Sequence, residues 1–407
     1  MFIKRTKYLD LIRRFYDSSL IKVLTGIRRC GKSVLLSQIK EEIKETYNID
    51  EDHIISINFE DVSFTNLRNY IKLNNFIIKK IKDKNKYYIF LDEIQNVRNF
   101  EKTLASLKAT QNVSIFVTGS NSKLLSGRLS SLLVGRCKEF KILPFSYTEF
   151  LQYYKENNLP LPLQPLNNYI RLGGMPQRFD YDNEDDIKDY LISLFNGIID
   201  KDICNSRSNI NKENFTTLAK YIISNATKEF SATSISDYFN KMNNGNITRE
   251  NIYRYLEKLE QACLISRVKR FDIASKRTLR LIEKHFVIDN GFFLACSQSN
   301  NILISHALEN LIYNELIYRG YEIKIGKTYK GEIDFVVTKN NTKCFIQVAY
   351  LLSDESIIKR EFSAFSSIKD SAPKYVFSLD QFDMSQDGIK HINIEDFLLN
   401  KIDIVLF

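Results

Sequence analysis

The eight residues Gly26-Ile27-Arg28-Arg29-Cys30-Gly31-Lys32-Ser33 constrain this chain more than any others. They fit the spacing G-x-x-x-x-G-K-[ST] of a phosphate-binding P-loop. Glycine lets the backbone turn its N–H groups inward around phosphates. At this spacing Lys32 would neutralise the outer phosphates and Ser33 would put its hydroxyl on Mg²⁺. Context supports the match. The apolar run Ile21-Lys22-Val23-Leu24-Thr25 precedes it and reads as a strand. Val34, Leu35, Ile39 and Ile43 follow at helical spacing. Strand, glycine loop and helix are the setting such a loop requires. Gly26, Arg29, Cys30, Gly31, Lys32, Ser33 and Val34 are therefore the expected nucleotide contacts, and ATP with Mg²⁺ the expected ligands.

The apolar run Tyr87-Tyr88-Ile89-Phe90-Leu91 ends in Asp92-Glu93, the Walker B arrangement. An acid at the carboxyl end of such a strand can hold the Mg²⁺ shell, here Asp92. The following acid, Glu93, can orient and deprotonate a water, which favours hydrolysis over mere nucleotide holding; a nucleotide-dependent signalling switch with protein partners is the alternative. A third apolar run, Val113 to Val117, ends in Thr118-Gly119-Ser120-Asn121. In P-loop ATPases with an additional strand a polar residue here senses the γ-phosphate, so Ser120 and Asn121 are both candidates. Arg136, just before the strand-like Phe140-Lys141-Ile142-Leu143, resembles the arginine finger of AAA+ proteins; Arg128 competes for that role.

With 407 residues the chain is long enough for two to four domains, and 44% hydrophobic residues suffice for their cores. A net charge of +9 favours an acidic partner such as DNA. The six cysteines form no C-x-x-C pair, which points away from zinc ribbons and disulfide frameworks and towards reduced thiols in a cytoplasm. The four histidines are scattered, which points away from a histidine metal site. No run has membrane-spanning length, and no apolar segment follows Met1–Arg5, so neither a membrane partner nor a signal peptide is expected.

Four parts are expected, giving a multidomain α/β protein. Residues 1–145 alternate strand and helix around the nucleotide motifs and predict a parallel α/β sheet. Residues 146–210 are helical and read as a lid, with turns at Leu159–Pro162 and Gly173-Gly174-Met175-Pro176. Residues 211–298 read as three helices, with a turn at 243–246, and then a β-hairpin, the order of a winged helix. Its third helix would expose Arg249 and Arg254. The hairpin carries Arg267, Lys269, Arg270, Lys276, Arg277, Arg280 and Lys284, a stripe that could grip phosphates or dock a protein. Residues 299–407 begin with a helix and continue with strands.

These motifs, with Leu91-Asp92-Glu93-Ile94-Gln95, Thr118 to Leu125, Pro144-Phe145-Ser146, Gly173 to Pro176 and Lys284 to Gly291, resemble bacterial and archaeal AAA+-type ATPases with a C-terminal DUF4143 domain. Two implications follow from the resemblance. Pro176 matches the G-x-P lid motif of STAND-type ATPases and would pack near the adenine. Apart from the resemblance, an arginine finger acts from a neighbouring subunit and winged helices can dock proteins, so a second copy of the chain, or another protein, joins DNA as an expected partner. The last part is similar to the PD-(D/E)xK nuclease fold, where an acid on one strand and E-x-K on the next hold a metal. Asp334 matches the first acid, with Glu309 or Glu315 as a helix acid. Gln347 and Ala349 stand where the second acid and the lysine belong, so an inactive nuclease-like tail is expected, with a metal-dependent nuclease as the alternative.

Overall fold

The structure is a computed structural model describing residues 3–120, 135–204, 210–241, 247–297, 303–329 and 331–407. The chain forms two compact units. One comprises Met1–Pro144 with Gln261–Cys263, the other Phe145–Glu260 with Leu264–Phe407.

The first unit is built on five parallel strands: β1 (Ile21–Thr25), β2 (Ile54–Asn58), β3 (Tyr87–Asp92), β4 (Val113–Gly119) and β5 (Cys137–Lys141). Their order is β2-β3-β4-β1-β5. Every residue of β1 and β3 is buried, as apolar runs in the middle of a parallel sheet should be. Ile57, Leu73, Ile77, Ile89, Leu104 and Val117 lie in one apolar core that seats the helices Tyr70–Lys80 and Phe100–Thr110 against the strands. Because the strands are parallel, Thr25, Asp92 and Gly119 end at the same edge of the sheet. The loop after β1 leads directly into the helix Lys32–Tyr47.

One buried charge interrupts this core. Lys22 on β1 is fully enclosed, donates to Ser114 Oγ at 2.7 Å and lies 4.3 Å from the centre of the Phe116 ring. Burial lowers its pKa to about 7. Between that value and its ordinary value near 10.5, the unfolded chain binds more protons than the folded one, so stability should rise with pH. The rise is bounded at about 3 kcal/mol between about pH 7 and pH 9. Lys22→Met should flatten it in urea titrations and leave stability at pH 7 equal or higher, since Ser114 Oγ still donates to Tyr16 O at 2.5 Å.

The second unit opens with a helix, Tyr147–Glu156, started by a capping box in which Ser146 and Glu149 satisfy each other's backbone N–H groups. Helices Pro165–Leu172 and Glu184–Ile198 follow; the acidic run Glu184-Asp185-Asp186 fills the first turn of the latter, behind the Asn183 cap. Then come helices Lys212–Ser224, Ala232–Lys241 and Arg249–Gln261. The expected turn at 243–246 lies outside the described residues. Strands β6 (Glu229–Phe230), β7 (Ile265–Asp272) and β8 (Arg277–Val287) complete a winged-helix-like region, with a hairpin longer than the sequence suggests. The helix Ile304–Tyr318 leads to β9 (Glu322–Lys327), β10 (Glu332–Lys339), β11 (Thr342–Val348), β12 (Lys374–Ser378) and β13 (Lys390–Asn393).

The hairpin and the C-terminal strands share one eight-stranded sheet, β13-β12-β11-β10-β9-β7-β8-β6. The join is a parallel pairing of Arg270, Phe271 and Asp272 with Ile325, Gly326 and Lys327. Residues expected as lid, winged helix and tail thus lie in a single compact unit, except Gln261–Cys263. The first of these parts is fastened to the end of β8. Asp289 Oδ2 accepts from Gly174 N at 2.6 Å and Oδ1 from Gly291 N at 2.9 Å. Asn290 Nδ2 donates to the carbonyls of Ile170 and Ala307, each at 3.0 Å, and Asn310 Nδ2 donates to Asn290 Oδ1 at 2.8 Å. Among the described residues no helix is long and apolar enough to cross a membrane.

Candidate nucleotide site

The P-loop is shaped by close approaches. A Cβ on Gly26 would lie 2.2 Å from the Ile142 carbonyl oxygen, so only glycine lets β1 turn here. The fully buried Arg5 braces the loop from beneath. Its Nη1 donates to Cys30 O at 3.3 Å and to Leu143 O at 3.0 Å, and its Nη2 to Pro144 O at 3.3 Å. Cys30 Sγ faces Ile142 O at 3.4 Å, Arg29 is exposed with φ 65°, and Val34 is half-buried. Lys32 and Ser33 begin the helix, where backbone N–H groups have no partner within the helix and attract anions. Lys32 is buried, and its Nζ donates to Gly26 O at 3.1 Å and Ile27 O at 2.9 Å, while Ser33 is exposed.

The acids meet this loop at the same sheet edge. Asp92 and Glu93 are each 7% exposed. Thr118 Oγ1, at the end of the neighbouring β4, donates to Asp92 Oδ1 and accepts from Glu93 N at 2.9 Å. Glu93 has φ 53°, a left-handed conformation that throws its side chain out of the strand direction. Burial raises the Glu93 pKa, with Lys32 and Gln95 pulling against it. Ser120 is buried and takes a hydrogen bond from Gln95 Nε2 at 3.2 Å. The donor set fits a Mg²⁺–nucleotide: a glycine cradle, a helix start, an ammonium, a hydroxyl and two carboxylates. Arg5, Thr118 and Gln95 are the residues that reading the motifs does not find. Arg5 acts through carbonyls far along the chain, and Thr118 and Gln95 are ordinary polar residues beside stronger signals.

Arg136 is exposed and its carbonyl accepts from Ile21 N at 2.8 Å, at the start of β1 and β5. That is the sheet edge opposite the P-loop, so within this chain Arg136 does not join the site. Asn121 and Arg128 lie outside the described residues. Pro176 is half-buried and starts the short helix Pro176–Asp180 of the second unit.

The expected basic stripe divides by strand face. Arg249, Arg254, Lys269, Lys276 and Arg277 are exposed. Arg267 is half-buried and paired with Glu260 at 2.8 Å and Glu283 at 3.7 Å. Arg270 is 5% exposed and ion-paired to Glu229 and Glu332, so it faces inward and not to a phosphate backbone. Lys284 is buried as well; its Nζ contacts Glu309 Oε1 at 2.6 Å and Glu332 Oε1 at 2.8 Å. The side chain of Arg280 is outside the description. Burial alone would lower the Lys284 pKa, but Glu309, Asp334 and Glu332 outweigh it and raise it. Asp334 accepts from Val348 N at 2.8 Å, and its own N–H donates to Gln347 Oε1 at 3.2 Å. Burial pushes Asp334 up to about 6, and Glu309 well above its ordinary value. Glu309, Glu332 and Asp334 thus act on one internal ammonium, and Gln347 holds the backbone of Asp334. Among the described residues no group of three or more His, Cys, Asp or Glu side chains is arranged to hold a metal. Glu315, the other candidate helix acid, is instead paired with Arg319 at 2.7 Å.

A parallel sheet in this order, with P-loop, Walker B acids and a polar residue after β4 at one edge, defines a P-loop ATPase core. A family profile described as "AAA domain" matches residues 18–151, and one described as "Domain of unknown function (DUF8612)" matches residues 163–302. An uncharacterized protein of Haemophilus influenzae is 30% identical over 403 residues, covering 98% of each chain. An uncharacterized protein of Methanocaldococcus jannaschii is 32% identical over 389 residues, 92% of this chain and 85% of that one. The chain belongs to this family of AAA-domain proteins. The match to DUF8612 overturns the expected DUF4143 assignment: the shared markers, Gly173–Pro176 and Lys284–Gly291, fall within residues 163–302. Among solved structures, Aeropyrum pernix ORC1 in complex with DNA covers 74% of this chain and 93% of its own (10% identity, TM-score 0.32). DnaA from Aquifex aeolicus covers 64% and 89% (13% identity, TM-score 0.33). Scores of this size describe partial superposition only.

Proposed function

We propose that this chain binds ATP with Mg²⁺ and hydrolyses it. The observation that carries the reading is the convergence of Lys32, Ser33, Asp92, Glu93 and Ser120 on one sheet edge. Lys32 would exchange its two carbonyl bonds for phosphate oxygens, which as charge-assisted bonds are stronger. Ser33 and Asp92 would hold the ion, which when bound neutralises charge on the phosphates. Glu93 would take the proton of the attacking water. Ser120 would meet the γ-phosphate. Arg136 could serve only a neighbouring copy of the chain. The exposed Arg249, Arg254 and Lys269 support DNA as an acidic partner. In the tail, Gln347 and Ala349 offer neither the second charge nor the ammonium of a nuclease, and the nearby Lys284 is already shared between Glu309 and Glu332. We read that part as a nuclease-like scaffold that binds rather than cuts.

The test is nucleotide binding and steady-state turnover with Mg²⁺, with and without duplex DNA at low salt. The native chain should bind a fluorescent ATP analogue and turn over ATP. Lys32→Ala should lose about 100-fold or more in affinity. A native chain that neither binds nor hydrolyses ATP would overturn the reading. DNA that is not retained even at low salt would remove the DNA part alone.

A further inference from the structure

Gln95 stands two residues beyond Glu93, in the short helical turn Ile94–Asn96. The turn is held rigidly, with Asn96 N bonded to Glu93 O at 3.1 Å and Val97 N to Ile94 O at 2.9 Å. From it the Gln95 carboxamide reaches back between two groups of the nucleotide site. Nε2 donates to Glu93 Oε2 and lies 3.2 Å from Ser120 Oγ. Oε1 is buried and accepts no hydrogen bond among the described residues. An amide nitrogen has two hydrogens and donates only. Both are therefore committed, one to the carboxylate and one to the hydroxyl oxygen. The reverse orientation would set Oε1 against Glu93 Oε2, two acceptors facing each other.

We propose that Gln95 is the positioning residue of Glu93. Its amide fixes the orientation of the carboxylate and ties it to Ser120, so the group that meets the γ-phosphate and the group that activates water are set by one side chain. This rests on the ATPase reading above and goes beyond it.

Two measurements test this. The first needs no nucleotide. In protein carrying ¹⁵N in the glutamine side chains, the Gln95 amide pair is identified by its loss in Gln95→Met, and its hydrogens should exchange with water about 10-fold faster in Glu93→Ala, which removes the acceptor. The second is a double-mutant cycle on turnover. Gln95→Met should lower kcat about 10-fold in the native background with KM within about twofold, and by less than about twofold when Glu93 is already glutamine. Should methionine prevent folding, Gln95→Glu keeps the size of the side chain, removes the donor and should lower kcat in the same way. Unchanged amide exchange, or equal losses in both backgrounds, overturns the proposal. Undiminished turnover in Glu93→Gln would instead overturn the ATPase assignment of Glu93, while the amide exchange still judges the hold of Gln95 upon it.

Discussion

Glu93→Gln is expected to slow ATP turnover 10²- to 10⁴-fold and to leave ATP affinity within a few-fold, the contribution typical of a positioned general base. The amide matches the carboxylate in size, so the buried position stays filled. It cannot accept a proton. Phosphate contacts come from the loop after β1, from Lys32 and from the helix start, and none of these changes. Burial raises the pKa of Glu93, which brings its basicity closer to a neutral working pH. Turnover should therefore fall on the acid side as Glu93 gains its proton, at a pH above the ordinary glutamate range, and that limb should vanish in the variant. Single-turnover hydrolysis alongside equilibrium binding checks both parts. A variant that binds and hydrolyses like the native chain would show that the water is activated by another group.

Gly173→Ala should destabilise the second unit by about 4 kcal/mol or more. Gly173 has φ 72° and ψ −165°, a region that residues with a Cβ avoid. A Cβ there would lie 1.8 Å from Asp289 Oδ1 and 2.7 Å from Gly291 N. Relief requires Asp289 to leave Gly174 N and Gly291 N, its two backbone donors. A fully enclosed carboxylate would then be without partners. Burial already pushes this carboxyl up to about 6, against the two backbone bonds and Arg178. Urea unfolding followed by circular dichroism measures the loss. The clash can be separated from backbone strain. In an Asp289→Ala background the added methyl no longer meets a carboxylate, so Gly173→Ala should cost markedly less there. Equal costs in both backgrounds would place the whole effect in the backbone.

The nucleotide core was legible because strong local signals agree. The P-loop spacing, the apolar runs of β1, β3 and β4, and the acids at the end of β3 each point to the same sheet edge. Ser146 and the acidic run at Glu184 likewise announce helix starts by local chemistry. What escaped depends on facing and on partners. Lys269 and Arg270 are adjacent on β7, and a strand sends adjacent side chains to opposite faces. With basic residues on both faces, no alternation reveals that Lys269 is exposed while Arg270 is enclosed by Glu229 and Glu332. Arg5 is fully buried for a reason the sequence hides, since its carbonyl partners Leu143 and Pro144 lie near the far end of the same unit. Of the markers behind the DUF4143 resemblance, Gly173–Pro176 and Lys284–Gly291 include the seam around Asp289, which a chain of another assignment can carry equally well.

The parallel join between β7 and β9 has a meaning for how such a protein can be inherited. A gene fragment ending before Glu322 would present β7 as an open edge and would strip Arg270 and Lys284 of Glu332. Exposed edges invite pairing with other chains, and uncompensated buried charges are costly. Recombination that exchanges the hairpin alone, or the C-terminal strands alone, would inherit half of each ion pair. The hairpin and the strands that follow it should therefore travel through descent as one module, whatever partner each has come to recognise.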